Sequence, residues 1–143
     1  MKQTSLSTLS AAALLALSAT MTQAASLTFT VEQVKNDQGM VYLQLFKGED
    51  NYEAGKAYTA SIIPAKAGSI TVSFHDLAPG DYAVRYYHDE NGDGELQTNL
   101  FGIPVEGFGF SNNARGSFGP ATFEQMKVNI GNVDINNAST IQY

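Results

Sequence analysis

The chain has 143 residues, a formal net charge of −6 and no cysteine. Without cysteine it has neither a disulfide framework nor a thiol nucleophile, so an exported chain of this kind rests on packing, helped at most by a bound ion. The acidic balance argues against nucleic acid and anionic membrane surfaces, which demand basic patches.

Residues 1–24 read as a secretory signal peptide. Lys2 gives a positive start and Ala11 to Ala19 an apolar, small-residue run. Thr22-Gln23-Ala24 puts small residues where a signal peptidase reads them. Cleavage near Ala24 predicts a periplasmic or secreted protein. No later run reaches the roughly 18–20 apolar residues of a membrane span, so no membrane insertion is expected. The remaining residues, 25–143, are enough for one domain with one core, monomeric by default.

Ser26 to Val34 alternates, with Leu27, Phe29 and Val31 on one face, the period of a half-buried strand. Asn36-Asp37-Gln38-Gly39 is a turn. Met40 to Phe46 is apolar on both faces and predicts a central strand. Lys47 to Lys56 reads as a polar loop, Ala57 to Ile63 as a strand, and Ser69 to His75 as another through Ile70, Val72 and Phe74. Leu77, Pro79-Gly80 and Tyr82 predict a tight corner into a strand over Asp81 to His88. There the tyrosine ring packs inward and its hydroxyl caps a nearby backbone group, as in a tyrosine corner. Phe123 to Ile130 alternates through Met126 and Val128, and Val133, Ile135, Ile141 and Tyr143 close the chain. No stretch shows a helical period. The prediction is all-β: a single seven-stranded immunoglobulin-like or transthyretin-like β-sandwich.

One stretch departs from this regularity. "HDENGDGELQTNLFGIPVEGFGFSNNARGSFGP", His88 to Pro120, holds seven of the thirteen glycines and four phenylalanines. Connections this long are usually functional or disordered. Disordered segments lack residues such as Leu100, Phe101, Ile103, Val105, Phe108, Phe110 and Phe118. An ordered glycine- and aromatic-rich flap packed on the sandwich is therefore expected. Its start, Asp89-x-Asn91-x-Asp93-Gly94, sets oxygen ligands at alternate positions before a glycine, as in the first half of a calcium loop of EF-hand type. Asp89, Asn91 and Asp93 would offer side-chain oxygens and Glu95 its backbone carbonyl. The twelfth position is Leu100, which cannot ligate, so this is not an EF-hand. Glu106 is the nearest acid that could complete a Ca²⁺ shell. The competing reading is a turn rich in Asx and glycine with solvated acids.

Other chemistry is thinner. His75 and His88 end different strands, so a shared metal site is not expected. Ser111 does not sit in a Gly-x-Ser-x-Gly elbow. Arg115, the loop's single base, would pair with an acid such as Glu106 or grip an anionic ligand. An enzyme needs a cleft joining His88 or a loop acid to a second catalytic group. The sequence favours a non-catalytic binding or structural module of the cell envelope, with an envelope glycan or a protein as partner. The alternatives are a metal-free interaction module ordered by aromatic packing, and a hydrolase-type enzyme.

The same residues carry a resemblance. His88 to Gly94, Asn99 to Gly107, Gly109 to Asn113 and Phe118 to Pro120, with Pro79-Gly80-x-Tyr82-Ala83 before them, resemble the signature of DUF2141, a bacterial exported family. The likeness runs from about Ser26 to the last strands, with a minor departure at Glu124-Gln125-Met126. It implies an exported single β-domain and no assigned activity.

Overall fold

A computed structural model describes residues 23–143. The expected signal peptide falls almost wholly outside them. Eight strands are present: β1 (Ala25–Val34), β2 (Met40–Lys47), β3 (Thr59–Pro64), β4 (Gly68–Leu77), β5 (Gly80–Asp89), β6 (Gly107–Phe110), β7 (Val128–Ile130) and β8 (Ile135–Thr140). They form two sheets, β4-β1-β8 and β3-β2-β5-β6, with β7 also on β5. All pairs are antiparallel except β1 with β8, which is parallel. Among the described residues no helix is long and apolar enough to cross a membrane.

The core lies between the sheets and follows the period-two pattern. Leu27, Phe29 and Val31 of β1 face Val41, Leu43 and Leu45 of β2 and Tyr82, Val84 and Tyr86 of β5, all at most 1 % exposed. Alternation along a strand sends successive side chains to opposite faces, which makes this layer legible from sequence. The corner forms as expected: the Tyr82 ring is buried and its hydroxyl donates to the Ala78 carbonyl at 2.8 Å.

Three expectations need correction. The eighth strand, β6, lies inside the stretch read as one long loop. The polar loop holds a short helix, α1 (Glu49–Glu53), and the strand expected from Phe123 begins as α2 (Phe123–Met126). Thr122 caps α2 by accepting from the Gln125 N–H, and Gln125 accepts from the Thr122 N–H. That reciprocal box is a sequence-level helix start, and the apolar alternation masked it.

β6 and β7 share one edge of β5. β7 pairs with Gly80 to Tyr82 and β6 with Arg85 to His88. The gap between them is filled by Ser111, whose hydroxyl accepts from the Val84 N–H at 3.0 Å and donates to the Met126 carbonyl. A fully buried serine here stands in for missing ladder partners.

Candidate functional site

The acidic loop is organised around one carboxylate. Asp89 ends β5 and has no exposed surface. Its Oδ1 accepts from the N–H groups of Gly92 (2.7 Å) and Asp93 (3.3 Å), and its Oδ2 from Gly94 (2.8 Å). Gly92 and Gly94 have φ of 77° and 82°, so the chain curls left-handed around the acid, a conformation glycine adopts without penalty. Asn91 Oδ1 accepts from the Asp93 N–H. Asp93 accepts from the Glu95 N–H at 3.0 Å and from the Asn91 and Gln97 side-chain amides. Led by the Glu95 N–H, these donors hold the exposed Asp93 carboxyl below the usual range.

Glu106, just before β6, reaches back to this loop. It is 6 % exposed and accepts from the N–H groups of Glu90 and Gln97, both at 3.0 Å. The structure thus brings Asp89, Asn91, Asp93 and Glu106 to one loop. Glu95 is exposed and gives that loop a backbone N–H. Among the described residues, no group of three acids or histidines stands as ion ligands would. Glu90 turns away, to Asn36 (2.7 Å) and to Lys35 (3.6 Å), a base contributed by another turn. The expected Arg115–Glu106 pair does not form, because Arg115 donates to Gln142 instead.

The two histidines lie in different sheets. His75 of β4 is exposed beside the Ser26 hydroxyl. His88 of β5 is fully buried. Its Nε2 lies 2.6 Å from the Gln38 carbonyl, which can only accept, so Nε2 carries a proton. Its Nδ1 lies 2.7 Å from the Tyr143 hydroxyl, which accepts from the Lys35 N–H. One ring nitrogen thereby ties Tyr143 to β5, and the other ties β5 to the turn at Gln38.

The site that sequence reading missed lies on the outer face of the larger sheet. Register sets two cross-strand rows there. One runs Gln44, Arg85, Phe110, and the other Tyr42, Tyr87, Phe108. At one end, Ala83, Phe123 and Met126 close the face with α2. At the other end, the acidic loop covers it: Tyr42 and Tyr87 stack at 4.9 Å, and the Tyr87 hydroxyl donates to the Gly94 carbonyl at 2.7 Å. Burial first, then neighbouring Tyr42 and the acids Asp89, Asp93 and Glu106, push the Tyr87 phenol up to about 12.

Between these ends the face stays open as a groove of about 750 Å³. Phe108, Phe110 and Arg85 lie on its floor. One wall carries Phe101, Ile103 and Pro104, and the other runs from Ser117 to Pro120. Here a further expectation is corrected: much of the flap does not pack down on the sandwich. Leu100, Phe101 and Phe118 are 101 %, 87 % and 106 % exposed, while Phe110 is buried and Phe108 half-buried. The glycines that alternate with those last two phenylalanines face inward. A Cβ on Gly109 would lie 2.3 Å from the Tyr86 hydroxyl, and one on Gly107 would lie 2.5 Å from the Tyr143 ring. The Gly-Phe-Gly-Phe run is therefore a strand with rings outside and bare backbone inside. Arg85, the polar residue in "YAVRYY", sits on the outward phase of a strand whose next outward residue, Tyr87, is aromatic. That phase was readable, but the covering flap was not.

The Ser-Asn-Asn run is structural. Asn112 and Asn113 take φ of 61° and 54°, which asparagine tolerates. Their side chains bind Lys127, Asn137 and the Thr140 N–H. Residues 29–137 match a family model described as "Uncharacterized protein conserved in bacteria (DUF2141)". No curated protein and no solved structure matches the chain.

Proposed function

The chain belongs to the DUF2141 family, and on its geometry we propose that it is a non-catalytic binding module of the cell envelope, reached through the signal peptide read in residues 1–24. The observation that carries this is the groove of about 750 Å³ on the outer sheet face. Its size falls in the range of small-molecule sites, about 300–1,000 Å³, and such sites combine apolar walls with few polar groups. Phe101 and Phe118 stand in solvent beside it. Exposed apolar rings gathered at one place mark binding surfaces. The buried histidine and serine are both committed to structural bonds, which among the described residues leaves no base–nucleophile pair beside the groove. The test is a titration with N-phenyl-1-naphthylamine, a neutral apolar dye that fluoresces on leaving water. Saturable enhancement is expected, weakened several-fold in Phe101→Ala and Phe118→Ala. A flat titration sinks the proposal.

The acidic loop supports a second reading, a weak Ca²⁺ site built on Asp89, Asn91, Asp93, Glu95 and Glu106. Its favouring observation is that Asp89 and Glu106 are both buried and neither has a cationic partner, the two described ion pairs being Lys35–Glu90 and Lys127–Glu124. Backbone N–H groups already bond both carboxylates, and a cation would further offset the repulsion of two like charges on one loop. Extracellular modules bind calcium in the range of about 10⁻⁴–10⁻³ M, and binding to the folded state alone raises its melting point. Melting in EDTA and in millimolar Ca²⁺ decides: an upward shift lost in Asp93→Ala supports the site, and coincident curves remove it.

A further inference from the structure

We infer that the groove takes a single-tailed amphiphile with a carboxylate head, the head seated on Arg85 and the tail on the phenylalanines. This rests on the groove being a binding site and names what it binds.

Among the described residues, Arg85 is the only charged side chain lining the groove. It takes part in neither of the ion pairs among the described residues. A half-buried guanidinium in an apolar groove, in a chain of net charge −6, stands without the acid that usually accompanies such a group. It is also held still. Its Nε and Nη2 both donate to Gln44 Oε1, at 3.1 and 2.6 Å, and its Cζ lies 5.1 Å from the Phe46 ring centroid. A cation over a ring face is itself favourable.

Those two bonds use one edge of the guanidinium fork. The remaining edge, formed by Nη1 and the second Nη2 hydrogen, keeps two parallel donors. Two parallel donors match the two oxygens of one carboxylate. A phosphate would bring a third oxygen and a second charge, for which the lining offers only the neutral Gln44, Thr98 and Ser117. A neutral sugar ring would need more polar partners than Gln44, Thr98 and Ser117 supply. Phe110 flanks Arg85 in the same cross-strand row, and Phe108 lies one row further on. A chain leaving the head along the floor therefore meets aromatic surface at once, with Phe101 and Phe118 above it on either wall. Closing on a tail would bury rings that now stand fully in water.

The experiment displaces N-phenyl-1-naphthylamine from the intact protein with four C12 compounds: dodecanoate, dodecyl phosphate, dodecanol and dodecyltrimethylammonium. All are kept below their micellar concentrations. Dodecanoate should displace the dye at a concentration about tenfold lower than dodecanol, with dodecyl phosphate intermediate and the ammonium compound weakest. Arg85→Gln should abolish the difference between acid and alcohol while dye uptake persists. Arg85→Lys, which keeps the charge but loses the fork, should retain only part of it. Equal displacement by acid and alcohol in the native protein, phosphate ahead of carboxylate, or a preference that survives in Arg85→Gln overturns the head-group assignment and leaves the groove standing. Absence of dye uptake overturns the groove, and the ligand with it.

Discussion

Replacing Asp89 by alanine should loosen the whole approach to the groove, since three loop N–H groups converge on this one carboxylate. Two of the bonds are short, at 2.7 and 2.8 Å from Gly92 and Gly94, and the third, from Asp93, is 3.3 Å. Hydrogen bonds to a charged acceptor contribute roughly 1.5–3 kcal/mol each. The two short ones alone give about 3–6 kcal/mol by the same measure. Gly92 and Gly94 are exposed, so their freed N–H groups can turn to water, and the lower figure of about 3 kcal/mol applies. For a domain of this size that corresponds to a melting point lower by about 10 °C. If the loop opens by itself before the sandwich does, the loss is capped by the loop's own stability. It then appears as faster amide exchange at Gly92, Gly94 and Gln97. Asp89→Asn keeps one accepting oxygen and should lose about half as much, because its amide would face a backbone donor. Thermal melting and hydrogen exchange, both in EDTA to remove any cation effect, read the two cases. Unchanged melting together with unchanged exchange in both variants would refute the idea that this carboxylate organises the loop.

Gly109→Ala would press a methyl against the fully buried Tyr86 hydroxyl, which donates to Ser139 at 2.9 Å. Overpacking of this kind costs about 1–3 kcal/mol, and the urea midpoint should fall with its slope unchanged. Burial pushes the Tyr86 and Tyr87 phenols up to about 12. The fold therefore favours their neutral forms. The stability they contribute is complete below their ordinary value of 10.0 and is lost as pH rises toward about 12. Absorbance titration at 295 nm, which reports phenolate, should show Tyr86 and Tyr87 among the last to ionise, coinciding with loss of structure; titration of all seven at the ordinary value contradicts it. Tyr82→Phe removes the corner bond to Ala78 while leaving the ring in place. It should lower unfolding free energy in urea by about 1 kcal/mol, and an unchanged midpoint would show the hydroxyl to be idle.

Several residues carried their roles in plain view. Tyr82 after Pro79-Gly80 announced a corner whose hydroxyl turns back on the chain. The alternation of Leu27, Phe29 and Val31 announced a half-buried strand. Glu106, the nearest acid that could complete a Ca²⁺ shell, lies against the Asp89 loop, where its partners are the N–H groups of Glu90 and Gln97. The helix α2 was written in Thr122 and Gln125 but competed with an apolar alternation over the same residues. A capping box is a local signal worth about 1 kcal/mol, and period-two spacing over so short a run cannot be told from one helical turn.

The sequence by itself determined the residues that face the core, the turns and the acidic loop. Each of these depends on neighbours a few residues away, through strand alternation, glycine's tolerance of positive φ and short side-chain-to-backbone bonds. Tertiary structure decided what lies across from what. Strand β6 exists because β5 has an edge to offer Phe108 and Phe110. The glycines at 107 and 109 are needed because Tyr143 and Tyr86 approach from the other face. Arg85 faces a groove because a flap, whose first lining residue Leu96 is eleven positions further along the chain, rises around it without closing. No local pattern encodes such meetings, since they join segments that only the packed sheets bring within reach.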